Sequence, residues 1–135
     1  MTDLAANKAI VLAFWESSAD DKGRFITDDV QWHLPTSVAA RGGFAQDLRG
    51  DDVRALFANG HAMYQPERTW DIRHVIADDD LVALHCTMHG CTATGNDYHG
   101  SYHMLFRVEG GRIAEAWEFL DTAYVMERMG PKIDT

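Results

Sequence analysis

The sequence has little of what would place it in a specialised protein class. Two cysteines among 135 residues are too few for a disulfide scaffold, and no repeat or low-complexity segment is present. No apolar run approaches the roughly 20 residues that a membrane-spanning helix needs. Basic residues number 12 against 21 acids, for a net charge of −9, and form no patch. We therefore expect neither a membrane nor a nucleic-acid partner.

The length predicts a single domain spanning residues 1–135, large enough to bury one apolar core. The first residues, MTDLAANKAIV, lack a basic region before an apolar stretch, so we expect no signal peptide. A cytoplasmic protein is the resulting expectation. Cys86 and Cys91 would then stay reduced.

The strongest local pattern is a β-hairpin within residues 101–121. Polar and apolar residues alternate over 102–108, a glycine turn follows at Gly110-Gly111, and alternation resumes over 112–120. Two alternating runs joined by a short glycine turn are typical of antiparallel strands. We predict that the rest of the chain packs on this hairpin.

The second strand of the hairpin carries the most chemically suggestive residue, Glu118. Because side chains alternate along a strand, Glu118 shares its face with Ala114, Ala116 and Leu120. Burial among apolar residues disfavours a carboxylate and moves its pKa toward neutrality, where it can exchange protons. The alternative is a strand acid that reaches water at a sheet edge. The other face would carry Ile113, Glu115, Trp117, Phe119 and Asp121.

Before the hairpin, the residue spacing predicts further elements. Apolar positions over residues 4–18 predict an amphipathic helix opened by Thr2 or Asp3. A second short helix runs through Phe25 and ends at Thr27-Asp28-Asp29. Alternation over residues 30–34 predicts a short strand that stops at a proline.

The middle of the chain alternates between loop, helix and strand signals. Residues 37–50 are glycine-rich and aperiodic, which predicts a loop, and residues 51–64 have helical spacing. Residues 69–76 and 81–92 predict two strands. The order indicates an α+β fold, in which a curved antiparallel sheet, a half-cone, wraps around three N-terminal helices and encloses an apolar cavity.

Three segments carry a family resemblance: FRVEGGRIAEAWEFLD, WHLP before the glycine-rich loop, and LRGDDVRALF at the third helix. Together they resemble the SnoaL-like, ketosteroid-isomerase-like branch of the nuclear transport factor 2-like superfamily. That branch includes SnoaL-type polyketide cyclases, ketosteroid isomerases and limonene epoxide hydrolases. The resemblance implies the half-cone fold over the whole chain and a convex sheet face that commonly pairs two subunits.

One functional position of the resembling families is retained. Glu118 falls where the cyclases and epoxide hydrolases carry a catalytic aspartate. The arginine and second aspartate of the epoxide hydrolases fall on Cys86 and Met88, and their water-holding tyrosine and asparagine fall on Trp32 and Leu34. The epoxide hydrolase pattern is therefore absent.

The ketosteroid isomerase pattern is absent as well. Its general base, oxyanion tyrosine and protonated aspartate fall on Leu34, Phe14 and Gly100. The histidine that assists the acid in the cyclases falls on Met104, next to His103. His103 would face the cavity only if a bulge turned it inward.

The expected site is an apolar, aromatic cavity with one acid. We predict Glu118 as the acid or base, with Tyr102 and Tyr64 within its reach as hydroxyl donors to a substrate carbonyl. We expect no metal and no other cofactor. The predicted substrate contacts are Trp15, Trp32, Leu34, Met88, Met104 and Leu120.

The opposite sheet face is predicted to hold most of the histidines. Imidazole and thiolate suit zinc, but the spacing of these residues matches no zinc signature. Trp117 and Phe119 lie on the same face and would form a large apolar patch on a monomer. We therefore predict a homodimer through this face rather than a metal site. The residues concerned are His85, His89, Cys91, His99 and His103.

Two functional classes remain open from the sequence. The first is a cofactor-independent isomerase, cyclase or dehydratase that acts on a small apolar carbonyl compound. The second is a non-catalytic module of the same fold that binds an apolar ligand or only dimerises. They differ in whether the carboxylate of Glu118 is needed for turnover or only for affinity.

Overall fold

The computed structural model describes residues 3–133, with residues 61 and 62 described by their backbone only. No helix in this range is long and apolar enough to cross a membrane. The helices are α1 Leu4–Glu16, α2 Thr36–Gly42, α3 Asp51–Ala62 and α4 Thr122–Arg128. The strands are β1 Ile26–His33, β2 Asp47–Arg49, β3 Thr69–Asp78, β4 Leu81–Cys91, β5 Asp97–Glu109 and β6 Arg112–Leu120.

The sheet confirms the predicted α+β fold. Its strand order is β2-β1-β6-β5-β4-β3, and neighbouring strands are antiparallel except β1 and β6, which run parallel. A wholly antiparallel sheet was expected. The parallel pair is possible because a long connection, including α2 and α3, separates β1 from β6. It brings β1 beside the strand that carries Glu118.

The start of the chain follows the predicted order with different boundaries. Asp3 opens α1, since its side chain accepts a hydrogen bond from Ala6 N at 3.0 Å. Thr2, the other predicted opening residue, lies outside the described residues. The second short helix is a 3₁₀ turn, Lys22–Phe25. The strand after it begins at Ile26, four residues earlier than predicted.

The β5–β6 hairpin is the predicted one, with one difference. Gly110 and Gly111 form the turn with φ of 58° and 80°, a conformation that favours glycine. Ile113 was expected to face away from Glu118, but it is fully buried and pairs with Val108. An irregularity in the pairing at Ala114 changes the alternation at that point, as β-bulges do.

The segment predicted as a loop over residues 37–50 contains a helix and a strand. Pro35 precedes α2, and Gly43 ends it in the left-handed conformation, with φ of 73°. Strand β2 then pairs with β1, placing Leu48 opposite Trp32. Both elements are short, so their periodicity in the sequence is weak, and tertiary contacts determine them.

Helix α4 was not predicted. Asp121 caps it by accepting a hydrogen bond from Tyr124 N at 3.1 Å. The hydroxyl group of Tyr124 accepts a hydrogen bond from His99 N at 3.0 Å, which ties the helix to β5. Helix α4 also packs against α2. The two unpredicted helices therefore lie together beside the cavity described below.

The core lies between α1, α3 and the inner face of the sheet. Phe14 is almost fully buried and contacts three other rings, with centroid distances of 5.9 Å to Trp32, 5.5 Å to Phe57 and 6.0 Å to Phe106. Tilted and edge-on ring pairs of this kind add to the burial of apolar area. The aromatic core holds α1 against the centre of the sheet.

A glycine of β5 provides the first test of this packing. The Tyr98 ring lies across Gly100, where an added Cβ would collide with the ring and its hydroxyl group. We expect Gly100→Ala to lower the free energy of unfolding by about 1–3 kcal/mol, measured by urea denaturation, because Tyr98 is fully buried and must move. Gly23→Ala is the control, since no atom beyond its immediate neighbours in the chain lies within 4 Å of the new Cβ. Equal stability of the two variants would contradict the packing described.

Candidate active site

A cavity of about 420 Å³ lies between the inner face of the sheet and the helices. Its wall is mainly apolar and aromatic. The sequence predicted nine wall residues, and eight of them line the cavity: Trp15, Trp32, Leu34, Tyr64, Met88, Tyr102, Glu118 and Leu120.

Met104 is the predicted wall residue that the structure places elsewhere. It faces the correct side of β5 but is fully buried in the core and does not line the cavity. The ring of Trp15 lies 6.0 Å from Tyr102 and 6.2 Å from Phe106, the inward residues on either side of Met104. Met104 is therefore part of the packed core.

Glu118 occupies the inner face of the sheet, as the alternation predicted. Strand β6 lies between β1 and β5, so the alternative of an acid at a sheet edge is wrong. Met104 lies directly opposite Glu118 on β5. On the other side, Ala116 pairs with Trp32 of β1, which brings the indole diagonally next to the carboxyl group.

The carboxyl group of Glu118 is held by an indole. Trp32 Nε1 donates a hydrogen bond to Glu118 Oε1 at 3.1 Å, and this is the one hydrogen bond of the carboxyl group within residues 3–133. Glu118 is half-buried, and its side chain borders the cavity. Burial raises the pKa of Glu118 to about 7, against the lowering effect of the Trp32 hydrogen bond. Both protonation states are therefore populated near neutral pH.

The tyrosines hydrogen-bond to one another rather than to Glu118. That Tyr64 or Tyr102 lies within reach of the Glu118 carboxyl group stays a prediction. Tyr102 Oη lies 3.2 Å from Tyr64 Oη and 2.8 Å from Tyr98 Oη. Burial raises the pKa of all three phenols, which therefore stay protonated at neutral pH. Tyr64 lines the cavity and can act there as a donor. The sequence did not identify Tyr98 as part of this cluster.

Part of the cavity wall comes from the two helices that the sequence did not predict. Helix α4 and the residue after it contribute Val125, Met126 and Met129, whose spacing is helical and was the available signal. The α2 segment contributes Val38 and Phe44. These residues make the wall more apolar than the sheet alone would.

Three basic residues also line the cavity: Lys22, Arg41 and Arg68. Lys22 Nζ donates hydrogen bonds to Phe14 O at 2.7 Å and to Trp15 O at 3.4 Å, at the C-terminal end of α1. Burial, with a smaller contribution from Arg68, lowers the pKa of Lys22 to about 8. The sequence pattern did not identify these cations as wall residues.

On the outer face of the sheet, a histidine lies between two acids. In its imidazolium form His33 donates from Nδ1 to Asp47 Oδ1 and from Nε2 to Glu115 Oε2, both at 2.7 Å, and its ring stacks on Trp117 at 5.5 Å. Burial alone would lower the pKa of His33, but the hydrogen bonds and charges of the two acids outweigh it and raise the pKa. Imidazolium is thus favoured at this position.

The remaining histidines of the outer face form pairs. His74 Nδ1 lies 3.1 Å from His85 Nδ1, and His89 Nδ1 lies 2.8 Å from His99 Nδ1. His103 is exposed on the outer face, and no bulge turns it inward. Cys91 contacts Asp97 at 3.7 Å. Among the side chains that the structure describes, no group of three or more His, Cys, Asp or Glu residues is placed to hold a metal ion.

Comparison with known proteins identifies the family. The family model for the SnoaL-like domain matches residues 8–116, most of the chain, so the chain belongs to the SnoaL-like domain family. This confirms the resemblance seen in the sequence. Glu118 lies two residues beyond the matched segment. No curated protein matches the chain.

Solved structures share the fold at low sequence identity. A candidate SnoaL-like polyketide cyclase from Jannaschia sp. CCS1 has a TM-score of 0.80 and 16% identity, covering 98% of each chain. An NTF2-like protein of unknown function from Burkholderia pseudomallei has a TM-score of 0.77 and 18% identity, covering 96% of this chain and 98% of that one. TerC, co-crystallised with polyporic acid, has a TM-score of 0.77 and 16% identity, covering 92% and 98%. At these identities the similarity concerns the fold alone.

The burial of Glu118 predicts how stability depends on pH. Below its usual pKa of 4.5 the group is protonated in both the folded and the unfolded chain. Between pH 4.5 and pH 7 the unfolded chain ionises first, so the folded state loses stability, and the loss is complete above the folded pKa of about 7. This difference corresponds to about 3 kcal/mol.

Glutamine cannot ionise and can still accept the Trp32 hydrogen bond. We therefore expect the unfolding free energy of Glu118→Gln, relative to the wild type, to rise by about 3 kcal/mol between pH 4.5 and pH 8. Urea denaturation at the two pH values measures this change. Glu16→Gln, at the exposed end of α1, is the matched control and should show no such gain. A pH-independent difference for Glu118→Gln would mean that the carboxyl group ionises normally in the folded protein.

Proposed function

We propose that this protein is a cofactor-independent isomerase, cyclase or dehydratase that uses Glu118 as an acid/base group on a small apolar carbonyl compound. The observation that carries the proposal is the position of Glu118: a carboxyl group with a pKa of about 7 on the wall of an apolar cavity of about 420 Å³. Active sites are where such perturbed groups concentrate.

The proposed reaction is proton transfer next to a carbonyl group. The carboxylate of Glu118 removes a proton from the carbon adjacent to the carbonyl, which leaves an enolate and a neutral carboxylic acid. Tyr64 would donate a hydrogen bond to the developing oxyanion. Return of the proton from Glu118 to another carbon completes an isomerisation. Attack of the enolate on a second carbonyl, whose oxygen takes the proton from Glu118, completes a cyclisation. Loss of a β-hydroxyl group as water, with the proton supplied by Glu118, completes a dehydration.

Trp32 serves the same cycle as a positioning residue. Its N–H donates to Glu118 Oε1 at 3.1 Å, which orients the carboxyl group and favours the carboxylate by a charge-assisted hydrogen bond. Without it, burial would hold Glu118 in the protonated form more strongly. The family match, a cyclase-like relative and the TerC complex with polyporic acid agree with a small-molecule role.

The second candidate is a binding module without turnover. The observation that favours it is the hydrogen bonding around the acid: the tyrosines bond to each other, and no tyrosine bonds to Glu118. A carboxylic acid in this setting would recognise a ligand carbonyl by donating a hydrogen bond. The two candidates separate on whether the Glu118 carboxylate is needed for proton transfer.

Exchange of α-hydrogens provides the direct test of proton transfer. With 2-tetralone as the probe in D₂O, the wild type should accelerate deuterium incorporation next to the carbonyl, measured by NMR. Glu118→Gln should reduce this acceleration by about 100-fold or more, because the amide cannot accept the proton. Glu16→Gln, with the same chemical change at an exposed site, should retain it.

The two proposals predict different outcomes in that experiment. If wild type and Glu118→Gln bind 2-tetralone, followed by tryptophan fluorescence, but neither accelerates exchange above buffer, the binding module is correct. Equal acceleration by both proteins would remove Glu118 from the chemistry. Loss of exchange in Glu118→Gln with binding retained would support the catalytic role.

We further propose that a second copy of the chain covers the outer face of the sheet. Two large apolar side chains are exposed there, Phe119 at 57% and Ile76 at 64%. The pairing register aligns Phe119 with His103 and His85 across three strands, next to Trp117. An exposed apolar and aromatic surface of this kind is typical of a two-fold symmetric contact.

The assembly proposal is tested at the most exposed aromatic residue. We expect the wild type to sediment as a dimer at micromolar concentration and Phe119→Asp to sediment as a monomer, because a charge would be buried in the contact. Ser37→Asp, exposed on α2 away from this face, is the control and should remain a dimer. A monomeric wild type would refute the proposal.

A further inference from the structure

The charges around the cavity are the reverse of those on the whole chain. The sequence has 12 Lys and Arg residues and 21 Asp and Glu residues. Of the described residues that line the cavity, three are basic, Lys22, Arg41 and Arg68, and one is acidic, Glu118. Since Glu118 is partly protonated at neutral pH, the wall carries net positive charge in an acidic protein. A purely apolar ligand gives no reason for this arrangement.

Lys22 is half-buried at the C-terminal end of α1. Its ammonium group donates to two main-chain carbonyls and lies 4.5 Å from the centre of the Phe14 ring. No carboxylate among residues 3–133 forms an ion pair with it. An ammonium group has three N–H donors, so one remains for a ligand. A partly buried cation held only by carbonyls lacks a neutralising anion.

Arg68 adds a second positive charge beside the first. Its charge acts on Lys22 and contributes to lowering the pKa of that residue. The guanidinium carbon lies 5.3 Å from the centre of the Tyr64 ring, so the side chain is packed at the wall rather than extended into solvent. An anionic ligand would therefore meet two positive charges at this part of the wall. Arg41, in the last turn of α2, is exposed and adds charge at the cavity mouth.

The basic residues and the acid occupy different parts of the cavity. The pKa of Glu118 responds to burial and to Trp32, with no contribution from a cation. Glu118 lies on β6, whereas Arg68 directly precedes β3, which β5 and β4 separate from β6 in the sheet. A ligand that spans this distance would place one end at Glu118 and the other at Lys22 and Arg68.

We propose that the ligand of this cavity is an apolar ring compound that carries an oxygen anion, a carboxylate or an ionised enol or phenol, bound by Lys22 and Arg68 opposite Glu118. This assignment rests on the proposed function, because it names the class of substrate that the same cavity takes. The cations hold the anionic group through charge-assisted hydrogen bonds. The apolar wall covers the ring, and the carbon atoms nearest to Glu118 are those that exchange protons.

A pair of probes with the same ring and different charge tests the proposal. Dissociation constants for 2-naphthoate and the neutral 2-naphthamide are measured at pH 7 by tryptophan fluorescence and calorimetry. We expect the wild type to bind the anion at least about 10-fold more tightly than the amide. Lys22→Met should reduce this preference about 10-fold while leaving the affinity for the amide unchanged. Equal affinity of the wild type for both probes would overturn the proposal.

Lys8→Met is the matched control because it removes the same charge from α1, away from the cavity wall. Lys8→Met should keep the preference for the anion. An equal loss of preference in Lys8→Met and Lys22→Met would mean that net charge alone causes it, and this result would overturn the proposal. If Lys22→Met fails to fold by circular dichroism, Arg68→Gln serves as the second variant and should lose the preference in the same way. An unchanged preference in Arg68→Gln would then count against the site.

The test of anion binding and the test of the proposed reaction can succeed or fail independently. Glu118→Gln should retain the preference for 2-naphthoate, because Arg68 lies beside β3, and two strands separate β3 from the β6 strand that carries Glu118. If the wild type prefers 2-naphthoate but does not accelerate the exchange of 2-tetralone, the proposed reaction is wrong and the protein is an anion-binding module. Exchange without any preference would leave an enzyme whose substrate is neutral.

Discussion

The desolvation of one carboxyl group, Glu118, is the constraint on which the rest of the site depends. A carboxylate removed from water is costly unless hydrogen bonds replace its hydration, and here one indole N–H does so at 3.1 Å. The compensation is partial, so the pKa lies near 7 rather than at its usual 4.5. The fold therefore maintains a group that is poised between its two protonation states, which is a property of use in catalysis and of no use in packing.

Several features of the fold act together to maintain that state. The parallel pairing of β1 with β6 places Trp32 next to Glu118. Because β6 is an inner strand, Glu118 does not lie at a sheet edge, where water could reach it. Helices α2 and α4 pack together and contribute apolar wall residues. At the other part of the cavity, Lys22 stabilises the C-terminal carbonyls of α1. The cavity thus has an acidic and a basic part joined by an aromatic wall.

Much of this arrangement could be predicted from the sequence, because strand alternation and turn chemistry are local. The glycine turn and the inward direction of Glu118 follow from period-two alternation. The errors have non-local causes: a pairing irregularity reversed Ile113, and two short helices depend on tertiary contacts. The hydrogen bond of Trp32 to Glu118 was not predicted either, because it depends on the parallel pairing of β1 with β6. Lys22 and Arg68 are distant in the sequence and come together only in the folded chain. The spacing of residues therefore could not show that both line the cavity.

The most direct test of the account is the titration of Glu118 itself. The ¹³Cδ chemical shift of its carboxyl group, followed by NMR from pH 3 to pH 9, reports the protonation state without reference to any substrate. We expect a midpoint near pH 7, because burial raises the pKa of Glu118 by more than the Trp32 hydrogen bond lowers it. A midpoint near the usual value of 4.5 would show that the carboxyl group is solvated in the folded protein and would contradict the central claim.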